Sequence, residues 1–588
     1  MKNTIFLFLL ILYYSFSFSQ ENQQAAISGF IENQTEHRLQ IGDQNVSIAE
    51  DGKFLFNIDL KSPVLLDISY AGSEWTIFLN PESKINFSIH DVKNILPEYS
   101  GDLVSCNTYL LKVDSVSKTA NSFFDQNWIS MHKKNQEEYI SIIDSLKNMY
   151  LIHFANYQTY NETISEDFVR VWKTDINYGF NTLIVKYPLI HFQLTQNNEE
   201  LNAQSIAYLE STKINKPEYF ELESYKRYSK ALIAYKSRLM AEKDQSNKHF
   251  NLKKIECVFT IIPEMFDTQY LSDFWLCEFL KEYIDKNQLA NSGKYISQYY
   301  LICETEQFKE EIEKQVNLIL DGQKDHEVKI YKTENDFNLE AHIFKPESMT
   351  MNGKCSAIAI FHGGGWNGGN PSWAFDRARH FKALGMVAIA VQYRLTNEHD
   401  ITALESMADA RDLIRWVKLN CDSLNLSPDK VAAYGWSAGG HLVASSAIFS
   451  DSILQNRATS TPDAMILVSP AVSLPKGEGW EIWKLNVFGR RTMVSSVNPV
   501  EHVRKGLPPT IIVQGRDDTV TPLGGVQLFH DNMLKHENYS ELWVYDGVGH
   551  LFTPNSIPDY GQPYPDKEVQ KKAFDQIDKF LIKFGYIK

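Results

Sequence analysis

Cysteine is scarce in this sequence. Cys106, Cys257, Cys277, Cys303, Cys355 and Cys421 are scattered along 588 residues, with no C-x-x-C pair and no His/Cys spacing suited to a metal. That pattern excludes a disulfide framework and a zinc module. Export would permit one bridge within the group from 106 to 303, but the six read as buried free thiols. Basic charge is also in deficit: 58 Lys and Arg face 73 Asp and Glu, a net charge of -15. A surface of that sign argues against nucleic acid or an anionic membrane as the main partner, so a substrate is better sought in a pocket. Beyond the N-terminus no run is apolar enough to cross a bilayer. No β-propeller repeat is present either.

Met1-Lys-Asn-Thr, the apolar run Ile5–Tyr14 and the small residues Ser17 and Ser19 read as a secretory signal peptide over 1–19. The apolar core is shorter than the roughly 20 residues a spanning helix needs; the competing reading is an uncleaved anchor over Ile5–Phe18 that spans with a tilt. The expected location is therefore the periplasm, the cell envelope or the exterior. The full chain is 43% hydrophobic and 22% charged, which rules out wholesale disorder. Its length exceeds the roughly 100–200 residues of one domain, so several units are expected.

Short runs at 26–31, 53–58, 64–70, 75–79 and 84–89, separated by turn residues such as Asp51-Gly52 and Ala71-Gly72, predict a small all-β sandwich over 24–95. From 100 to 322 the period becomes helical. Tyr139, Ile142, Ile143, Leu146, Tyr150 and Phe154 line one face, and Tyr225, Tyr228, Leu232, Tyr235 and Leu239 another. We assign these stripes to packing within an α-helical domain. A hairpin follows at 327–344, turning at Glu334-Asn-Asp336. Apolar strands at 357–361, 386–391, 431–434, 464–468, 510–513 and 541–545 then alternate with helical stretches such as 403–419 and 441–449. Alternation of that kind predicts a mostly parallel sheet covered on both faces, over 324–588.

Chemistry concentrates in that last segment. Gly435-Trp-Ser437-Ala-Gly439 joins a strand to a helix, and a turn that sharp puts a serine hydroxyl at its tip and tolerates only glycine beside it. Ser437 is therefore the candidate nucleophile. His362-Gly-Gly-Gly-Trp366 follows an earlier strand, and its glycines leave the N–H groups of Gly364 and Gly365 able to join that of Ala438 around a developing alkoxide. His362 precedes the glycine run and is given a structural role. Asp517 and Asp518 follow Gly515 and precede Thr-Val-Thr-Pro522, and His550 ends Gly547-Val-Gly-His550; each lies in a loop after a late strand. Trp366, Trp436 and Trp480 are candidate substrate contacts, and 469–508, carrying Trp480, Trp483 and Phe488, is long enough for a lid. No metal or organic cofactor is required by this chemistry.

Residues 326–588 resemble an α/β hydrolase of the hormone-sensitive-lipase-like or acetylesterase type. The resemblance rests on His362–Trp366, Tyr393-Arg-Leu395, Gly435–Gly440, Asn498-Pro499, Pro508-Pro509, Gly515–Pro522 and Gly547–His550, which stand in the family's order. It implies the acid at Asp518, with Asp517 the competing choice, the base at His550, the chain order Ser437, Asp518, His550, and an acyl-serine mechanism on short-chain carboxylic esters, often acyl groups on carbohydrates. The N-terminal part, through Glu50-Asp-Gly-Lys-Phe54, loosely resembles the β-domain that precedes thioredoxin-like domains in exported bacterial proteins, which implies a structural or envelope-docking module. Two other readings stand beside the esterase: a prolyl-oligopeptidase-like serine peptidase, and a non-catalytic envelope-interaction protein with a hydrolase-like domain.

Overall fold

The computed structural model describes residues 23–92, 95–160, 163–195, 197–210, 212–347, 354–396, 401–449, 460–474, 484, 487–489, 492–558 and 563–588. The leader at 1–19, Trp480 and Trp483 lie outside the described residues. The chain forms two compact units. One reaches to Tyr187 and includes Leu201–Leu232; the other comprises Pro188–Glu200 and Ile233–Lys588.

The first unit begins with two four-stranded sheets, β4-β1-β7-β8 and β3-β2-β5-β6. Its strands are β1 (Gln23–Ile31), β2 (Arg38–Ile41), β3 (Gln44–Ser47), β4 (Lys53–Leu60), β5 (Val64–Tyr70), β6 (Ser73–Leu79), β7 (Lys84–Ile89) and β8 (Glu98–Gly101). Alternation decides the faces: Phe54 and Phe56 of β4 are buried while Leu55 between them is 62% exposed. Inward residues of both sheets, among them Ile27, Phe87, Leu39 and Ile68, form one core, as a sandwich requires. Helix α1 (Val104–His132) joins the sandwich through Asn107. Its side-chain oxygen accepts the N–H of Phe78 at 2.7 Å and its amide donates to the carbonyl of Phe78 at 3.2 Å, satisfying the edge of β6.

Helices α2 (Gln136–Thr159), α3 (Glu166–Thr195), α4 (Ala203–Glu210) and α5 (Glu223–Lys243) follow. The aromatic stripes pack as expected: Tyr109 lies 4.9 Å from Phe154 and 5.4 Å from Trp172, ring centre to ring centre, and Tyr139 lies 4.6 Å from Tyr187. Such pairs contribute about 0.5–1.5 kcal/mol each beyond their buried area.

One boundary differs from the sequence expectation. A single helical domain over 100–322 is expected, yet the seam between the units falls inside α3 and α5. The later helices α6 (Phe250–Met265), α7 (Gln269–Ile302) and α8 (Glu306–Gly322) belong with the C-terminal sheet. The reason is local pairing. Asn291 of α7 exchanges two hydrogen bonds with the backbone of Asn338, at 2.9 and 2.8 Å, and the N–H of Ala290 donates to the buried carboxylate of Glu340 at 3.1 Å.

The second unit is built on an eight-stranded sheet in the order β16-β15-β14-β13-β11-β12-β10-β9. Antiparallel strands β9 (Glu327–Glu334) and β10 (Phe337–Phe344) meet in a two-residue turn in which Asn335 and Asp336 both have positive φ. β10 also runs antiparallel to β12 (Val387–Val391). From β12 through β11 (Cys355–Phe361), β13 (Leu426–Trp436), β14 (Ala464–Val468) and β15 (Thr510–Gly515) to β16 (Ser540–Tyr545) every pairing is parallel. The strands from β11 to β15 read as nearly continuous Ala, Ile, Val and Met because both faces are covered. The helices of this segment are α9 (Phe375–Ala383), α10 (Ala403–Leu419), α11 (Ala438–Ile448), α12 (Leu523–Lys535) and α13 (Lys567–Lys583). Their connections place the residues after β11, β13, β15 and β16 at one carboxyl rim.

Candidate active site

Between β13 and α11 stands Ser437, with φ 53° and ψ −120°. A non-glycine residue holds that backbone only under strain, at a cost of about 1–3 kcal/mol. The neighbours show why the turn demands glycine. A Cβ on Gly435 would lie 2.2 Å from the carbonyl oxygen of Gly439, and one on Gly439 would lie 2.1 Å from that of Phe361. Strand and helix can close this tightly only when both positions are bare, and closing lifts the serine hydroxyl to the rim.

Two other loops bring their side chains to it. His550 Nε2 is 3.2 Å from Ser437 Oγ, and His550 Nδ1 is 2.9 Å from Asp518 Oδ2. A carboxylate beside Nδ1 fixes the ring hydrogen there and leaves Nε2 to accept from the serine hydroxyl. Asp518 is 4% exposed and held from all sides. Oδ1 accepts the N–H groups of Val520 and Thr521 at 3.0 and 2.7 Å, while Oδ2 accepts from Gln514 Nε2 at 3.0 Å and Thr521 Oγ1 at 2.9 Å. Asp517 instead lies in the open and accepts from Asn555 Nδ2 at 2.7 Å. Of the two acids, only Asp518 meets the imidazole.

The loop after β11 carries a run of left-handed residues: Gly364 (φ 106°), Gly365 (φ 59°), Trp366 (φ 64°) and Gly369 (φ 98°). The carbonyl of Gly364 accepts the N–H groups of Gly368 at 2.9 Å and Asn367 at 3.2 Å, which winds the loop into a tight coil. A Cβ on Gly363 would lie 3.1 Å from Ser437 Cβ, so the loop lies directly against the serine. Among the described residues, no backbone carbonyl takes the N–H of Gly364, Gly365 or Ala438. Ala438 opens α11, where an N–H has no partner within the helix. His362 is buried and burial holds its pKa down at about 4; Nδ1 sits 2.7 Å from the Gly363 carbonyl, and the ring stacks on Tyr393. It is a neutral brace for the loop.

The expected tryptophan contacts fare differently. Trp366 is 2% exposed, with its ring against His441 and Phe488 at 5.1 and 5.4 Å, so it packs the loop down and is no open substrate platform. Trp436 is also buried, beneath the Arg377 guanidinium at 4.2 Å. It lines a cavity of ≈ 240 Å³ with Trp373, Phe552 and Phe574, whose walls include neither Ser437 nor His550. Indole position before or after a motif says nothing about which way the ring turns. The sequence reading also passed over three supporting residues. Gln514 and Thr521 hold the acid, and Ser469 accepts both the Leu551 N–H on its hydroxyl and the Thr521 hydroxyl on its carbonyl, at 3.1 Å each. Thr521 stood in the quoted Gly515–Pro522 motif, which was the available signal.

Residues 358–554 match the model of a family described as alpha/beta hydrolase fold. Among curated proteins, the chain is 24% identical over 212 residues to the probable carboxylic ester hydrolase LipM of Mycobacterium tuberculosis, covering 32% of this chain and 48% of the relative. It is 32% identical over 114 residues to an arylesterase of Saccharolobus solfataricus, 19% of this chain and 36% of the relative. The chain thus spans less than half the length of these curated relatives. Among solved structures, the apo form of Thermogutta terrifontis esterase 2 is 31% identical and aligns over 45% of this chain and 97% of its own, with a TM-score of 0.40. Sheet order, elbow and the family match agree that the C-terminal domain is an α/β hydrolase domain, similar in sequence to carboxylic ester hydrolases.

Proposed function

We propose that this protein is an exported serine esterase that cleaves short-chain carboxylic esters, including acyl groups on carbohydrates, through an acyl-serine at Ser437. The observation that carries the reading is the unbroken contact chain from Ser437 Oγ through His550 to Asp518. A serine hydroxyl is a weak nucleophile at neutral pH. His550 takes its proton as Oγ attacks the ester carbonyl and returns it to the departing alcohol, while Asp518 holds the tautomer and steadies the imidazolium. The N–H groups of Gly364, Gly365 and Ala438 stabilise the tetrahedral alkoxide. Water, deprotonated by the same histidine, then releases the acid.

Ester specificity is supported by the names of the curated relatives, a carboxylic ester hydrolase and an arylesterase. Export is supported by the basic start and short apolar run of the first 19 residues. The test is turnover of p-nitrophenyl acetate and acetylated oligosaccharides by the wild type and Ser437→Ala. The variant should lose about 10⁵-fold or more in kcat. Unchanged turnover in Ser437→Ala would end the acyl-serine reading, and cleavage of proline-containing peptides in place of esters would move the protein to the peptidases.

A further inference from the structure

The loop that carries Gly364 and Gly365 leaves the rim through Asn370, and the side chain of Asn370 does not turn back to the hydrolase sheet. It is 6% exposed, and its Nδ2 donates at 2.8 Å to Oδ1 of Asp285 on α7, a helix that precedes the family-matched segment. Its Oδ1 accepts from the N–H and hydroxyl of Ser372, at 3.0 and 2.6 Å. Asn370 is therefore pinned on both sides, once by its own loop and once by α7. Gly369, just before it in the chain, closes over His362: a Cβ there would lie 2.6 Å from His362 Nδ1. A shift at Asn370 is thus passed by backbone and contact to the start of the same loop.

The shape of α7 explains why Asp285 is in place. The helix is broken at Gln288, whose φ of 58° and ψ of 180° no ordinary helix contains. The break is satisfied locally: Gln288 Nε2 donates to the Asp285 carbonyl at 2.6 Å, and Ser292 Oγ donates to the Gln288 carbonyl at 2.6 Å. Beyond it, Glu340 of β10 receives the Ala290 N–H and Asn291 pairs with Asn338. A strained residue so thoroughly held points to a constraint on direction. The half of α7 before the break ends with Asp285 aimed at the loop; the half after it is fastened to the hairpin.

We propose that α7 is a clamp on the oxyanion loop, with Asp285 as a positioning residue that acts through Asn370 on the N–H groups of Gly364 and Gly365. This rests on the esterase reading given above. Because those donors matter most when charge develops, losing the clamp should lower kcat with little change in KM. A misplaced loop of this kind costs about 10-fold to 100-fold in rate.

The experiment compares Asp285→Ala, Asp285→Asn and Asn107→Ala with the wild type, reading kcat and KM on p-nitrophenyl acetate, the unfolding midpoint, and amide hydrogen exchange over 363–369. Asp285→Ala should lose kcat and exchange faster in that loop. Asp285→Asn keeps an oxygen for the Asn370 amide and should restore both. Asn107→Ala strips the edge of β6 of its partner in the first unit and should lower the unfolding midpoint while leaving kcat and loop exchange as in the wild type. Wild-type kcat and loop exchange in Asp285→Ala, or equal kcat losses in Asp285→Ala and Asn107→Ala, would overturn the clamp. An inactive wild type would remove the esterase reading, and loop exchange would still decide whether α7 holds the loop.

Discussion

The two units place strained backbone in different kinds of position. In the first, the non-glycine residues with positive φ among the described residues are Asn33, Ala71, Glu82 and Leu103, all at turns or element ends and none of these four buried. In the second, Trp366, Ser469, Leu551 and Phe552 are buried at the carboxyl rim, and the partly exposed Ser437 stands at the same rim. A turn tip is free to relax, and left-handed conformations there merely reverse the chain. A buried rim is over-determined by its surroundings, so strain persists and side chains are held where chemistry needs them. The β-sandwich unit is thus built for packing and the hydrolase unit for placement.

The sharpest way to test placement is at the acid. Asp518→Asn should leave the shape intact but lower kcat by about 10⁴-fold, because the amide can present a hydrogen to Nδ1 and select the wrong tautomer. Asp517→Asn, one residue away and solvent-facing, should change kcat by less than about 3-fold, as expected of a site that shares no partner with the imidazole. Similar losses in the two variants would mean that the geometry had been misread. A second test sets one unit against the other. Gly439→Ala forces a Cβ to within 2.1 Å of the Phe361 carbonyl, and Gly29→Ala forces one equally close to that of Phe87. Each should destabilise its own unit by about 3 kcal/mol or more. Only Gly439→Ala should abolish turnover in the folded protein; loss of turnover in folded Gly29→Ala would show that the units are not separable.

How much of this was legible in the sequence follows from where a local rule acts. Gly435, Gly439, Gly364 and Gly365 are dictated by backbone approach, so their spacing alone located the elbow and the oxyanion loop. Period-2 alternation located β1, β4, β5, β6 and β7, whereas β2, β3 and β8, at four residues each, are too short to display a period. Helical periodicity at 139–154 and 225–239 said that these stretches bury a face but not against what, so the seam inside α3 and α5 was invisible. The directions of Trp366 and Trp436 depend on neighbours far along the chain, His441 and Arg377 among them. Gln514 and Ser469 were illegible for the same reason.

Acid should act on the hydrolase unit as well. Burial pushes His249, His362 and His441 of the hydrolase unit down to about 4 from 6.5. Above pH 6.5 folded and unfolded forms are both neutral and the full stability is present. Between pH 6.5 and 4 the unfolded chain binds protons that the folded unit refuses, so stability falls as pH falls, by on the order of 3 kcal/mol per histidine at pH 4. Urea midpoints of the hydrolase unit should be level from pH 8 to 6.5 and decline below it; a midpoint unchanged down to pH 4.5 would contradict the buried neutral histidines.

The smallest effect tests the comparison itself. Glycine introduced into a folded chain costs about 0.5–1 kcal/mol in backbone entropy, which is set against whatever strain it relieves. At Ala71, φ 48° lies in the left-handed range, where relief is about 1 kcal/mol, so Ala71→Gly should be nearly neutral. At position 437, φ 53° with ψ −120° lies outside the left-handed well, and relief of about 1–3 kcal/mol should exceed the entropy cost. Ser437→Gly should therefore be more stable than Ser437→Ala by about 1 kcal/mol in urea denaturation, although both lack a nucleophile. If the alanine variant is as stable as the glycine variant, the elbow is not strained, and the serine is held at the rim by packing alone.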